Sequence, residues 1–255
     1  NKGCSSSPFA FMDATSLARQ LNIHPLVAGL LIKRGICDEA SARAFLHPSP
    51  DALTPLDRYD GIDEIADRLE RAIAEGEGIV IFGDYDCDGI CATSILLLYL
   101  KSRGADVEFF IPDRREDGYG ITKSALEKVA DESDAHLLIS VDCGITAVDE
   151  VEYAQDELGF EVLITDHHQP GERLPDCPVF NPHLTQREDA FKPLCGAGVA
   201  LRLVERMSGL QASKKYYDLA ALATVADVVP LVGDNRVIAY YGLILINARY
   251  RKGLT

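Results

Sequence analysis

The chain has 255 residues, 47% of them hydrophobic and 25% charged, which suits one sizeable α/β domain, alone or with a small accessory lobe, and excludes an intrinsically disordered chain. Its net charge of −15, from 25 Lys and Arg against 40 Asp and Glu, sets an unfavourable average field for any polyanion. A nucleic-acid substrate would therefore have to be held by local basic groups or by bound metal.

No apolar run approaches the length of a membrane span, and the opening NKGCSSSPFAF lacks a signal-peptide pattern. Its first eight or so residues are expected to be partly disordered. The seven cysteines form no CxxC pair, and their odd number argues against a complete disulfide framework, so a cytoplasmic setting is expected.

Residues 13 to 47 predict short helices: DATSLARQLN opens on an Asp cap, PLVAGLLIKRG starts at Pro and stops at Gly35, and DEASARAFL again opens on Asp. HPSPDALTPLDRYDG, with three prolines and no periodicity, reads as a linker or a surface-hugging loop. Residues 1–60 are assigned to a small N-terminal helical lobe and linker, and 61–255 to a separate α/β domain.

From Ile62 helices and strands alternate. IDEIADRLERAIAEG carries Ile62, Ile65, Leu69 and Ile73 at helical spacing, and GIVIFG is a short apolar run of the buried-strand type. ICATSILLLYLKSRG is a helix closed by Gly104. VEFFI, HLLISV and EVLIT are further strands, separated by the helices TKSALEKVADE and TAVDEVEYAQDELG. Strands separated by helices imply a mostly parallel, doubly wound sheet flanked by helices. Beyond Asp166 a Pro-rich connection, QPGERLPDCPVFNPH, leads to the helices AGVALRLVERM and YYDLAALATVAD and to a last helix with a basic tail.

Ligands of an open parallel sheet bind beyond the carboxyl ends of its strands. There GIVIFG delivers Asp84, Asp86 and Asp88, VEFFIP delivers Asp113, HLLISV delivers Asp142, and EVLIT delivers Asp166 with His167 and His168. A single Asp at a strand end caps the next helix. Several converging in one crevice would raise one another's pKa values unless cations neutralised them. Two divalent ions are the economical answer: carboxylates with imidazole and no paired thiolates suit Mn²⁺, with Mg²⁺ as the harder alternative. Metal pairs about 3.5–4 Å apart recur in phosphoryl chemistry.

Four segments then carry a resemblance. GDYDCDGI (83–90), VDCGIT (141–146), TDHH (165–168) and ATVADVVPL (223–231) resemble, in order and spacing, the motifs of the DHH phosphoesterase superfamily, most closely its RecJ-like single-strand-specific exonuclease branch. LLIKRGI, AFLHP, IPDRREDGYGIT, CGAGVA and GLILIN extend the likeness over nearly the whole chain from Pro25. The resemblance implies that 61–255 is a catalytic domain in which Asp86, Asp88, Asp142, His167 and Asp227 bind two ions, with Asp142 as the bridge. Asp84 stands near the place where many relatives have His, as a ligand or a partner of one. Asp166 would orient its neighbouring His or bind metal, and His168 would contact the scissile phosphate. The implied reaction is hydrolysis of single-stranded DNA from the 5′ end, in repair and recombination, with repair proteins as partners. The competing expectations are a DHH hydrolase of short oligonucleotides or small nucleotides and a non-catalytic scaffold. Members of this branch continue into a second lobe after the fourth motif, so the chain is expected to be a catalytic core, excised or naturally minimal.

Other features are less specific. In DRREDGYGIT, Arg114 and Arg115 could pair with a backbone phosphate and Tyr119 could stack on a base, or the segment could be a solvated turn. CGAGVA reads as a tight turn with close helix packing, or as helix amides aimed at a phosphate. Cys87 and Cys143, inside the motifs, are expected to pack as small buried side chains. His24, His47, His136 and His183 are expected at the surface or in the core.

Overall fold

The computed structural model describes residues 13–115, 118, 120–249 and 251–254. The expected disorder of the first residues and the assignment of Tyr119 lie outside them. The chain divides into two compact units, one ending at Ala52 and one beginning at Leu53.

The first unit contains α1 (Ala14–Leu21), α2 (Pro25–Lys33) and α3 (Glu39–Leu46). Each starts where a side chain accepts from an otherwise orphaned amide: Asp13 from Ser16 N at 2.7 Å, His24 Nδ1 from Leu26 N at 3.2 Å and Asp38 from Ser41 N at 2.9 Å. Leu17, Leu21, Ala28, Leu31 and Ala42 form its small core. His24 is thus a surface cap.

The second unit opens with a packed strap. Thr54 donates through N and Oγ1 to Asp234, at 3.0 and 3.1 Å, and the buried Tyr59 donates to Phe191 O at 3.1 Å. The stretch from Leu53 to Asp60, which lacks periodicity in sequence, is therefore held by polar bonds to residues far along the chain.

Next come α4 (Ile62–Glu75), β1 (Ile79–Phe82), α5 (Cys87–Ser102), β2 (Val107–Phe110), α6 (Lys123–Glu132), β3 (Leu137–Val141), α7 (Val148–Asp156) and β4 (Glu161–Thr165). A fifth strand, β5 (Val179–Phe180), is followed by α8 (Gly196–Ser208), α9 (Leu210–Ser213), α10 (Tyr217–Ala226) and α11 (Gly233–Asn247). β5 lies inside the stretch read as a Pro-rich connection. Two residues show no alternation, and only their pairing, Ile164 with Val179 and Thr165 with Phe180, makes them a strand.

All strands run parallel in the order β2-β1-β3-β4-β5. Alternate residues serve opposite faces. Ile79, Ile81, Leu137, Ile139, Val141 and Leu163 join the core shared with α4, α5, α8 and α10, while Val80, Phe82, Leu138, Val162 and Ile164 pack with α6 and α7. A sheet buried on both faces explains why its strands read as continuous apolar runs. Chain order reverses between β1 and β3, and such a switch point opens a crevice at the strands' carboxyl ends. Among the described residues no helix is long and apolar enough to cross a membrane.

Candidate metal centre

The loops leaving β1 and β3 flank the switch point, and the loop leaving β4 lies beside them. Asp84, Asp88, Asp142 and Asp166 are each at most 3% exposed. No Lys or Arg among the described residues forms an ion pair with any of them.

After β1 the chain turns into α5. Asp84 accepts from Tyr85 N at 2.7 Å. Asp86 caps the helix, one oxygen accepting from Asp88 N at 2.8 Å and Gly89 N at 2.9 Å, which leaves its other oxygen for a ligand. Asp88, within the first turn, reaches across to α8 and accepts from Gly196 N at 2.6 Å and Ala197 N at 2.7 Å. The CGAGVA amides are thus directed at a carboxylate of the same chain, and the positive end of α8 offsets part of its charge. Close packing accompanies this: a Cβ on Gly196 would run into the Asp142 carboxylate. Burial raises the pKa of Asp84, with Asp86 adding to the shift, and burial likewise raises that of Asp88 against the pull of the α8 amides and His167.

Asp142 stands at the centre. Its backbone is left-handed, φ 64°, a conformation costly for most side chains and tolerated by Asp. Its N–H donates to Thr165 O at 3.0 Å, tying β3's exit to β4. Its Oδ1 is buried and lies 3.2 Å from His167 Nε2 without hydrogen-bond geometry, and nothing else satisfies it. Burial, with Asp88 adding, pushes Asp142 up to about 8.

His167 Nε2 is also 3.6 Å from Asp88 Oδ2 and 4.0 Å from Asp227 Oδ2. Burial opposes a charge on this ring, but Asp142, Asp88 and Asp227 outweigh it and lift the ring to about 9. Asp227 follows the last residue of α10, and Val228 beside it is left-handed at φ 59°.

Asp166 is fully occupied: one oxygen receives His167 N at 2.7 Å, His168 N at 3.1 Å and the His168 ring Nδ1 at 2.7 Å, the other Ile145 N at 2.9 Å. Burial alone would raise its pKa, but the His168 ring and these amides bring it below the ordinary value. With Nδ1 engaged, the 43%-exposed His168 ring keeps Nε2 free, and its pKa is raised chiefly by that bond to Asp166.

Potential ligand atoms gather in three overlapping groups, each within 4.8 Å: Asp84, Asp86 and Asp142; Asp88, His167 and Asp227; Asp142, His167 and His168. Asp142 and His167 each belong to two of them. A buried carboxylate oxygen without a hydrogen bond, at the focus of an oxygen-rich donor set with imidazole and with no Lys or Arg among the described residues paired to it, fits divalent cations of the Mn²⁺ or Mg²⁺ type.

Other expected residues fall elsewhere. Asp113 is exposed and accepts from Arg115 N at 2.8 Å in its own turn, because β2 is the outer strand beyond β1 and its loop lies away from the switch point. Arg115 is exposed in the same turn. Arg114 lies over the Tyr85 ring, 5.5 Å from its centroid, which brings a guanidinium beside the Asp84 to Asp88 loop. Cys143 is buried as expected, but Cys87 is exposed, since at the first position of α5 its side chain faces outward. Of the described cysteines, Cys87, Cys91, Cys143, Cys177 and Cys195 are free and Cys37 is disulfide-bonded.

Sequence reasoning missed Tyr85 as the seat of Arg114, the grip of α8 on Asp88, and the bond from Asn181 Nδ2 to His168 O at 2.9 Å. Tyr85 carried a signal, being the aromatic residue inside the acidic motif. The other two depend on contacts across the fold.

Comparison with known proteins places these residues in context. The model of the DHH family, N-terminal domain, matches residues 78–224. The chain is 45% identical over 245 residues to the single-stranded-DNA-specific exonuclease RecJ of Bacillus subtilis (strain 168), covering 94% of this chain and 30% of that protein. It is 43% identical over 209 residues to the RecJ of Thermus thermophilus, covering 80% of this chain and 30% of that protein. The crystal structure of a Thermus thermophilus RecJ in complex with Mn²⁺ superposes with a TM-score of 0.77 at 34% identity, over 95% of this chain and 34% of that one. The chain thus spans about a third of the length of these relatives.

Proposed function

Because the chain belongs to the DHH family, we propose that its second unit is the catalytic core of a two-metal phosphodiesterase that hydrolyses single-stranded DNA from the 5′ end. The observation that carries this reading is the buried Asp142 oxygen without a hydrogen bond, set among carboxylates and beside His167, with no Lys or Arg among the described residues paired to the buried acids. The names of the relatives support the substrate and the metal: single-stranded-DNA-specific exonucleases, one of them crystallised with Mn²⁺. Within that unit the catalytic domain is taken as residues 61–255, and the helical lobe with its linker, whose last part is the strap at 53–60, as 1–60. A cytoplasmic location and repair-protein partners belong to the same reading.

In this reading Asp84, Asp86, Asp88, Asp142, His167 and Asp227 would hold two ions, Mn²⁺ or Mg²⁺, Asp142 being the carboxylate with donor atoms in two of the three groups. The chemistry supplied by the ions is acidification of the attacking water and neutralisation of charge on the phosphate. Asp166 holds the His168 ring through Nδ1, so that Nε2 is presented to the scissile phosphate. There it stabilises developing charge or protonates the leaving oxygen. The raised pKa of His168 favours the protonated form that this task needs. Arg114, seated on Tyr85, pairs with a backbone phosphate on the approach to the site.

The net charge of −15 favours a second reading, hydrolysis of short oligonucleotides, because long strands need many cationic contacts. Incubating the whole chain with end-labelled single- and double-stranded DNA and Mn²⁺ separates the two. Mononucleotides released from the 5′ end of single strands are expected. Equal turnover of dinucleotides and long strands would favour the second reading. An absence of both hydrolysis and calorimetric Mn²⁺ binding would favour a scaffold without catalysis.

A further inference from the structure

β5 is two residues long and leads directly into Asn181, whose side chain is 1% exposed. Both ends of its amide are used. Nδ2 donates to the backbone carbonyl of His168 at 2.9 Å, and Oδ1 accepts from His183 N at 2.9 Å. The second bond closes a local Asx turn, the ordinary work of an Asn before Pro182. The first reaches thirteen residues back in sequence, to the histidine that Asp166 already holds by its amide and its ring.

From this geometry we infer that Asn181 is a positioning residue for His168. The inference rests on the catalytic role given to His168 above. Asp166 fixes the N-terminal side of this residue and the tilt of its ring, and Asn181 fixes the carbonyl side. A 43%-exposed ring on a loop otherwise moves with its backbone, whereas one clasped from both sides keeps Nε2 in one place. Reaction rates are sensitive to such placement, a shift of about 1 Å costing about a hundredfold. The short pairing of β5 with β4 brings the clasp into register: Asp166 N donates to Phe180 O at 3.1 Å, immediately before Asn181.

Asn181→Asp separates positioning from the turn, because the carboxylate still accepts from His183 N but has no proton to give His168 O. A residue needed only for the turn would tolerate it. The whole chain carrying Asn181→Asp, and separately Asn181→Ala, is compared with the unsubstituted protein for kcat and KM on single-stranded DNA with Mn²⁺ and for calorimetric Mn²⁺ stoichiometry. The His168 ring signals are followed by NMR without metal, assigned with His168→Ala. Expected are a fall in kcat of about 10- to 100-fold with KM within about threefold, unchanged stoichiometry, and displaced His168 signals in both variants. In a His168→Ala background the Asn181 substitutions should cost nothing more. Folded Asn181→Asp protein with full kcat and unmoved His168 signals would overturn the inference, as would the same loss with and without His168. If the unsubstituted chain hydrolyses no DNA, the proposed function fails, and the NMR signals alone still decide whether Asn181 positions this ring.

Discussion

Two regions of the second unit bury carboxylates and neutralise them differently. Beneath the strap, Asp234 and Glu205, 2% and 8% exposed, lie with Arg202, itself 1% exposed. Arg202 Nη1 pairs with Glu205 at 2.7 Å, Nη2 donates to Thr54 O, and the guanidinium sits over the Tyr59 ring. Asp234 receives Thr54 twice, with the Tyr59 hydroxyl 3.4 Å away. At the switch point Asp84, Asp88, Asp142 and Asp166 are as deeply buried, but their partners are backbone amides and two histidines, and one Asp142 oxygen meets His167 at 3.2 Å without a hydrogen bond. The chain supplies its own fixed cation where the acids are structural. Where they face the crevice it leaves the charge open, which a folded protein tolerates only if protons or metal ions enter.

The sharpest break of this contrast is Asp142→Ala. It should reduce hydrolysis by about a thousandfold or more, equivalent to about 4 kcal/mol of barrier. The metal-free fold should keep or gain stability, because a buried carboxyl group without a hydrogen bond is gone. Steady-state kinetics with Mn²⁺ and urea unfolding without it check both halves. Near-full activity with intact metal stoichiometry would contradict the role given to Asp142.

Arg202→Met is the converse. It removes the guanidinium beneath the strap and leaves the buried Glu205 without its ion pair, so a loss of about 3–5 kcal/mol is expected in urea unfolding. Added Mn²⁺ should not compensate specifically for that lost pairing. Folded protein should retain its turnover, since the network lies away from the candidate ligands. A stability unchanged by the substitution would show that Arg202 does not offset these acids.

Gly196→Ala probes the seam between helix and acids. Its Cβ would press on the Asp142 carboxylate while the amide beside it holds Asp88. Overpacking of this kind costs about 1–3 kcal/mol, and calorimetry should show weakened Mn²⁺ binding as well. Unaltered metal affinity would mean that the spacing of Asp88 and Asp142 is not set by this glycine.

What could be read in sequence follows the range of the interactions. β1, β3 and β4 announce themselves because each is an apolar run of four or five residues, mostly buried on both faces. The acids at their ends followed from the rule that such strands point at a common crevice. That rule failed for Asp113 because order across the sheet is not written in the order of strands along the chain. β5 and Asn181 stayed hidden, a two-residue strand carrying no period. Asp227 rested on resemblance alone, for a carboxylate closing a helix looks like any cap. The pairing of Asp88 with the amides of α8 joins residues more than a hundred positions apart, and Arg202 reads in sequence only as part of an amphipathic helix. Motifs reveal which groups take part, while their counter-charges depend on the assembled packing.

The mildest test uses pH on the metal-free protein. Asp142 and His167 share a buried contact and hold protons to higher pH than either does when free: the ordinary value of His is 6.5, and here His167 is lifted to about 9 and Asp142 to about 8. Between about 6.5 and 9 the folded state therefore binds more protons than the unfolded chain. Stability from this pair falls as pH rises through that window, the Asp142 share up to about 8 and the His167 share up to about 9, with a slope of at most about 1.4 kcal/mol per pH unit for each proton held. Saturating Mn²⁺ takes the place of the protons and should reverse the trend, since metal binding strengthens as the ligands lose their protons. Unfolding midpoints at pH 6.5 and 9, with and without Mn²⁺, measure the difference. A metal-free midpoint that rises over this interval would mean the switch-point acids are already compensated, and the two regions would then be alike.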